Sequence, residues 1–348
     1  MYLEERISAF AELGAILRAS VEGKTSFSEK LEILTESQHY KNPWFTPVNV
    51  RHALSSVAKL LTTDNLRKWT GPYLLPEENN NPATIGIIMA GNIPLVGFHD
   101  YLSVLITGNK LVAKTSSRDP DLVVFLTDIL CSIDSRFSQH IKLSAGTISD
   151  FDAVIATGSD NSSRYFEYYF GKYPHIIRKN RNSVAILDGS ERGEELEALG
   201  NDIFSYFGLG CRSVSKLYLP DGYRIEELPG SWKKWENLAE HSKYANNLDF
   251  NKAVYLVNRE KFHDGVFVLL REEKRLSSPV GVLYYEYYSK VGRLREELEA
   301  ESNKIQCIVS RDHTPFGHAQ MPDLWDYADG ADTIEFLSEK NILRNIIK

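Results

Sequence analysis

The hydrophobic rhythm of this chain changes near residue 80. Before that point the spacing is helical. Phe10, Leu13, Ile16 and Leu17 recur on one face, Leu31, Ile33 and Leu34 repeat the pattern, and His52–Leu61 carries it on. Asn42-Pro43 and Pro47 punctuate these helices, and the polar EENNNP stretch at 77–82 ends them. Ala83–Ala90 (ATIGIIMA) is then a continuous apolar, β-branched run, the signature of a strand covered on both faces. The spacing predicts a helix over Val96–Thr107, a strand at Lys110–Lys114, a helix from Asp121 to Ser132, and short strands at Ile141–Leu143 and Ala153–Ala156.

Further on, strands are expected at Ser183–Leu187 and Ser215–Leu219, with a helix from Glu194 to Phe207 between them. A helix at Trp232–His241 and strands at Ala253–Val257, Val280–Tyr285, Ile305–Ser310 and Thr333–Leu337 complete the pattern. Strands alternating with helices imply βαβ units and a doubly wound α/β sheet, whose ligands bind beyond the carboxyl ends of its strands. There is no repeat or flexible tether. The expected division is residues 1–185 for the N-terminal helices and dinucleotide-binding domain, 186–315 for a second α/β domain holding Cys211, and 316–348 for a segment that returns to the first domain or makes an oligomer contact.

Composition narrows the partners. The net charge of −7 gives no support for nucleic acid or an anionic membrane. No run approaches the ~18 uninterrupted apolar residues of a membrane span, and the acidic opening MYLEERISAF is unlike a signal peptide. Cys131, Cys211 and Cys307 lie far apart without CxxC spacing, which suggests neither zinc nor a disulfide framework and fits a reduced, cytoplasmic chain.

Chemistry is concentrated at a few strand-end turns. Gly208 and Gly210 let the backbone turn closely before Cys211, and Arg212, Ser213, Ser215 and Lys216 follow it. Nearby cationic charge favours the reactive thiolate, although most free cysteines are core residues. Cys131 in its apolar helix and Cys307 in IQCIV read as core. Asn92, after a buried strand, can donate its amide to a developing oxyanion or merely stabilise a turn. Lys114 with Ser116 could meet a ribose or phosphate, or be solvated. Thr157-Gly158-Ser159 ahead of a helix could present backbone N–H groups to a pyrophosphate.

In order along the chain these segments resemble the aldehyde dehydrogenase superfamily, and within it the LuxC-type acyl-CoA reductases. AGNIPLVG (90–97) is similar to the strand-end Asn motif, LVAKTSSRDP (111–120) to the Lys-Pro-Ser-Glu segment and VIATGS (154–159) to the Thr-Gly-Ser turn. RKNRNSVAIL (178–187) resembles the strand entering the catalytic domain, FGLGCRSVSKLYLP (207–220) the catalytic Cys motif, SSPVGVL (277–283) the Phe-Gly-Pro-Val segment, and TPFG (314–317) the late Pro-Phe-Gly turn. The resemblance spans about residues 80–340. It implies a Rossmann-type cofactor domain plus an α/β catalytic domain, with Cys211 as nucleophile and Asn92 as oxyanion donor. Lys114, Ser116 and Ser117 would face the adenosine ribose, and Thr157, Gly158 and Ser159 the pyrophosphate and nicotinamide. It also implies a homo-oligomer and a fatty acyl-CoA or acyl-carrier thioester as substrate, with an acyl-transfer protein as a candidate partner.

Three departures sharpen that expectation. Arg178 stands where hydrolytic relatives carry the Glu that activates water. Without a positioned base, worth roughly 10²–10⁴-fold, hydrolysis of a thioacyl-enzyme is slow, which favours thioester reduction to an aldehyde. Ser117 and Arg118 replace a ribose-binding Glu, and they accept a 2′-phosphate where a carboxylate would repel it; NADPH is favoured, with NADH the alternative. Lys274–Pro279 replaces a segment whose acid commonly holds the nicotinamide ribose. Two other readings stay open: reduction of an acyl phosphate, and a non-catalytic binding subunit.

Overall fold

The computed structural model describes residues 1–338, and contacts divide the chain into two compact units. One comprises Met1–Lys179 with the segment from Asp323 onward; the other is Asn180–Pro322.

In the first unit, four helices come first: α1 (Leu3–Val21), α2 (Ser28–Lys41), α3 (Pro47–Leu60) and α4 (Thr63–Thr70). Their starts follow local chemistry. The Thr46 side chain accepts from Asn49 N–H ahead of Pro47, and Thr62 accepts from Asn65 N–H. Phe10, Leu13 and Leu17 of α1 are fully buried, whereas Ile33 of α2 is exposed. The alternation that follows is β1 (Thr84–Ile88), α5 (Phe98–Ile106), β2 (Lys110–Lys114), α6 (Leu122–Ile133), β3 (Ile141–Ser144), β4 (Ala153–Thr157), α7 (Asp160–Phe170) and β5 (His175–Arg178). The sheet has the order β3-β2-β1-β4-β5, and all four pairings are parallel without a register shift. The chain therefore reverses its direction of winding between β1 and β4. A crevice for a ligand forms at the carboxyl ends of strands on either side of such a reversal.

The second unit contains β6 (Asn182–Ile186), α8 (Gly193–Phe204), β7 (Val214–Pro220), helical turns over Ile225–Glu240, α9 (Ser242–Val257), β8 (His263–Asp264), β9 (Leu269–Glu272), β10 (Val282–Tyr288), α10 (Val291–Ala300) and β11 (Ile305–Val309). Its sheet order is β11-β6-β7-β10-β9-β8, parallel except for the β8–β9 edge pair. Bulges interrupt β6 on both sides, one against β7 and one against β11.

Two expected strands are helices. Ala253–Val257 is the last part of α9, with Tyr255 buried and Leu256 and Val257 exposed. Its β-branched residues yield to a helix already nucleated at Ser242 behind the His241 cap. Thr333–Leu337 is one short helix, begun by the Asp332 carboxylate accepting from Glu335 N–H, and Ile334 and Leu337 are buried in the first unit's core.

Candidate active site

In the first unit, three loops gather along one sheet edge because β1, β2 and β4 run parallel and end together. Ile88 of β1 is level with Lys114 of β2 and Ala156 of β4. The turn after β1 carries half-buried Asn92. It is tied to the loop after β2, where Met89 N–H donates to the Lys114 carbonyl at 3.0 Å and Leu95 N–H to Asp119 Oδ2 at 2.8 Å. Leu95 sits in the left-handed region at φ 58°, a conformation that this second bond helps to hold. The Asp119 carboxyl is pushed up to about 6 because burial opposes its charge more than the backbone donors favour it.

Lys114 is half-buried, and Ser117 and Arg118 are exposed. The Ser116 hydroxyl accepts from Arg118 N–H at 3.2 Å and packs against Gly91, where a Cβ would lie 2.3 Å from it. Thr157 ends β4, and Ser159 caps α7 by accepting from Ser162 N–H at 3.3 Å. Gly158 lets that helix start close to the strand: a Cβ there would meet Phe166 and Ser162 at 2.8 Å. Asn92, Lys114, Ser116, Ser117, Arg118, Thr157, Gly158 and Ser159 thus share one edge of one unit. Exposed hydroxyls, a cation and a helix N-terminus at a winding reversal fit a dinucleotide.

Arg178 is held inside the first unit. Its guanidinium is buried, ion-paired with the Asp100 carboxylate of α5 and donating to Thr333 Oγ1 at 2.9 Å. It joins β5, α5 and the returning C-terminal segment and offers no base for water.

Cys211 belongs to the second unit. It is exposed, on the turn between α8 and β7. The approach to it is unusual: Tyr206, Phe207 and Gly208 are all left-handed, at φ 54°, 60° and 74°. For Tyr206 and Phe207 this costs on the order of 1 kcal/mol or more each. Bonds around the turn oppose that cost. Ser213 N–H donates to the Gly210 carbonyl at 3.0 Å, the Ser183 hydroxyl to the Cys211 carbonyl at 2.9 Å, and the Gln320 amide to Ser213 Oγ at 3.1 Å. Gln320 is presented by the Pro-Phe-Gly turn, which buried Asp202 of α8 holds by accepting from Gly317 N–H at 2.6 Å and Ala319 N–H at 2.8 Å. Burial pushes the Asp202 carboxyl up to about 6 against the pull of those two donors.

Lys216 corrects the expectation that its charge is available to the Cys211 thiol. Its ammonium is fully buried and donates to Glu286 at 2.6 Å and to the Lys274 carbonyl at 2.8 Å. Ser215 donates to the Leu276 carbonyl at 2.8 Å, so the strand that follows Cys211 anchors the 274–276 loop. Glu273 beside that loop is held below the usual carboxylate range, first by its bond to Arg275. Ser183, Asp202, Asp119 and Gln320 escaped the sequence reading. Only the Asp of the Arg-Asp-Pro turn and the Ser of RNSVAIL lay within quoted motifs, and neither residue type is distinctive there.

Comparison with known proteins places the chain. Solved structures share its fold. Aldehyde dehydrogenase 21 from Physcomitrella patens has a TM-score of 0.61 at 15% identity, over 90% of this chain and 74% of that one. The NAD-dependent aldehyde dehydrogenase from Sinorhizobium meliloti has 0.61 at 14% identity, over 89% and 70%. The architecture is therefore aldehyde dehydrogenase-like. The acyl-CoA reductase (LuxC) family model matches residues 62–278, and the chain belongs to that family. Curated relatives include long-chain acyl-protein thioester reductase 2 of Photobacterium leiognathi, 26% identical over 192 residues, covering 50% of this chain and 40% of that protein. The long-chain acyl-protein thioester reductase of Photorhabdus laumondii is 25% identical over 248 residues, covering 64% and 52%. The chain spans about half the length of these relatives or less. Among the described residues no helix is long and apolar enough to cross a membrane, and no cluster of three acidic, His or Cys side chains could hold a metal.

Proposed function

We propose that this protein reduces an acyl thioester to the aldehyde through a thioacyl-enzyme on Cys211. The observation that carries the reading is an exposed cysteine on the turn between α8 and β7, in a LuxC-family chain with an aldehyde dehydrogenase-like fold. The Cys211 thiolate attacks the thioester carbonyl, and the donor thiol leaves with the electron pair of the broken C–S bond. Asn92 donates to the carbonyl oxygen as it gains charge. Reduced nicotinamide cofactor, when bound, supplies the hydride for the acyl carbon. The Cys211 sulfur then departs as thiolate and the aldehyde is released.

The residues on the first unit's edge support cofactor binding: Lys114, Ser116 and Ser117 at the adenosine ribose, and Thr157, Gly158 and Ser159 at the pyrophosphate and nicotinamide. Exposed Ser117 and Arg118 favour NADPH over NADH, since both can meet a 2′-phosphate. Arg178 supports reduction over hydrolysis, because a guanidinium stands at that position and the Asp100 carboxylate beside it is buried in an ion pair with it. Fatty acyl groups follow from the relatives' names, and the donor is a CoA or carrier-protein thioester. A homo-oligomer and an acyl-transfer partner protein belong to the same proposal, as does a cytoplasmic location.

The test is NADPH oxidation with a panel of acyl-CoAs, with free thiol followed in parallel. Equal NADPH loss and thiol release are expected, falling at least about 10³-fold in Cys211→Ala. Inorganic phosphate release from an acyl phosphate, with thioesters inert, would replace this reading with the acyl-phosphate one.

A further inference from the structure

We infer that Ser183 is a positioning residue for the Cys211 turn, and that Cys307 is the thiol that orients it. The inference rests on Cys211 being the nucleophile. Ser183 lies in β6, the strand between β11 and β7, and is fully buried. Its hydroxyl is 2.9 Å from the Cys211 carbonyl oxygen and 3.1 Å from Cys307 Sγ. The direction of this chain is forced. A carbonyl can only accept, so the one hydroxyl hydrogen goes to Cys211, and Cys307 must then donate its S–H to Ser183 Oγ. The array therefore exists only while Cys307 is a neutral, unmodified thiol.

The backbone explains why a strand residue can reach an adjacent turn. Ser183 pairs with Val214 while Val184 pairs with Lys216, so Ser215 is an extra residue in β7. On the other side Asn182 pairs with Ile305 while Val184 pairs with Ile308, so β11 also gains one residue around Gln306 and Cys307. Ser183 is the residue that both irregularities flank. A bulge re-aims side chains and locally ends regular pairing, and such features gather beside functional sites. Here one bulge brings the Cys307 thiol to Ser183, and the other frees the Ser215 hydroxyl for the Leu276 carbonyl. The same strand position thus joins the nucleophile's main chain to β11, while Ser215 ties β7 to the 274–276 loop.

Fixing the Cys211 carbonyl fixes the peptide plane from which the turn leaves, and with it the direction of the side chain. The run of left-handed residues at 206–208 makes that restraint necessary, because a strained turn relaxes when its ties are cut. A misplacement of about 1 Å at a reacting group can cost on the order of 10²-fold in rate. For Ser183→Ala the expected loss in kcat is roughly 10- to 100-fold, with KM for NADPH and thioester within about twofold. Ser183→Thr, which keeps the hydroxyl, should recover most of it. Cys307→Val, which removes the orienting donor, should fall between wild type and Ser183→Ala.

Hydrogen–deuterium exchange and iodoacetamide labelling of Cys211, both read by mass spectrometry, test the inference without any substrate. Ser183→Ala should raise exchange in the 207–214 peptide and change the Cys211 labelling rate severalfold, while peptides from β10 and α9 exchange as in wild type. Wild-type exchange and labelling in Ser183→Ala would overturn the positioning role, and so would a loss of protection spread across the whole unit. No thioester reduction by the wild type, together with the turn-specific changes in Ser183→Ala, would overturn the proposed reaction and leave the positioning role supported.

Discussion

The two units use the same kind of sheet and hold their functional groups in different ways. In the first, four parallel pairings run without a register slip, and the candidate cofactor residues lie where those strands stop. In the second, bulges flank β6, the turn before β7 contains left-handed Tyr206 and Phe207, and side chains from separate segments tie the Cys211 turn in place. In the first unit the aligned strand ends present N–H groups, hydroxyls and a lysine, with one side-chain tie, from Asp119 to Leu95 N–H, holding the turn after β1. A single thiol that must meet one carbon needs local ties, and those come from residues distant in sequence.

The largest effect that could break this contrast lies at Arg178. If the first unit owed its geometry to backbone alone, removing one side chain would matter little. Arg178→Met should instead cost about 3–5 kcal/mol, because it leaves the Asp100 carboxylate buried without its partner. Chemical denaturation of wild type and variant gives the difference. A cost below about 1 kcal/mol, the range of an exposed pair, would contradict it. Asn92→Ala should reduce kcat by about 10²–10³-fold, the effect of losing one oxyanion donor. Equal kcat in the variant would remove Asn92 from the proposed site.

Gly158→Ala sharpens the comparison from the other side. The added methyl meets Phe166 and Ser162 at 2.8 Å, so α7 must move off β4, at about 1–3 kcal/mol for overpacking. Cofactor affinity should weaken with it, while Cys211 labelling stays unchanged; altered labelling would show that the turn in the second unit is not held independently.

The smallest effect concerns pH. Each unit holds a turn with one buried aspartate, Asp119 or Asp202, and burial raises both to about 6. A raised folded pKa means that the native state binds the proton more tightly, so this contribution is full below the unfolded value near 4 and is lost as pH rises through about 6. Denaturation midpoints from pH 4 to 7 should therefore lose a falling component in Asp119→Asn and Asp202→Asn. A profile identical to wild type in both variants would contradict the assignment.

How much was legible follows from the same contrast. Lys110–Lys114 forms a strand over the expected residues because KLVAK is a short apolar run whose centre is buried. Most of β1 and β4, and the positions of the turns after them, came the same way. Thr333–Leu337 misled because five alternating residues satisfy a strand pattern and one helical turn alike; the Asp332 cap was the discriminating signal. Cys307 read as core from IQCIV, yet a bulge turns it into a donor to Ser183. Lys216 read as a free cation beside Cys211, but it is buried against Glu286, 70 residues away in sequence. Periodicity reports which face of an element is covered. It carries no information on long-range ties between single polar side chains, and the Cys211 turn depends on these.

The most direct test of the central claim is intact-protein mass spectrometry after mixing with acyl-CoA in the absence of nicotinamide cofactor. The account predicts one added acyl group per chain, mapped to Cys211, with one free thiol released and no adduct in Cys211→Ala. An unmodified chain with every acyl thioester, or an adduct that persists in Cys211→Ala, would contradict it.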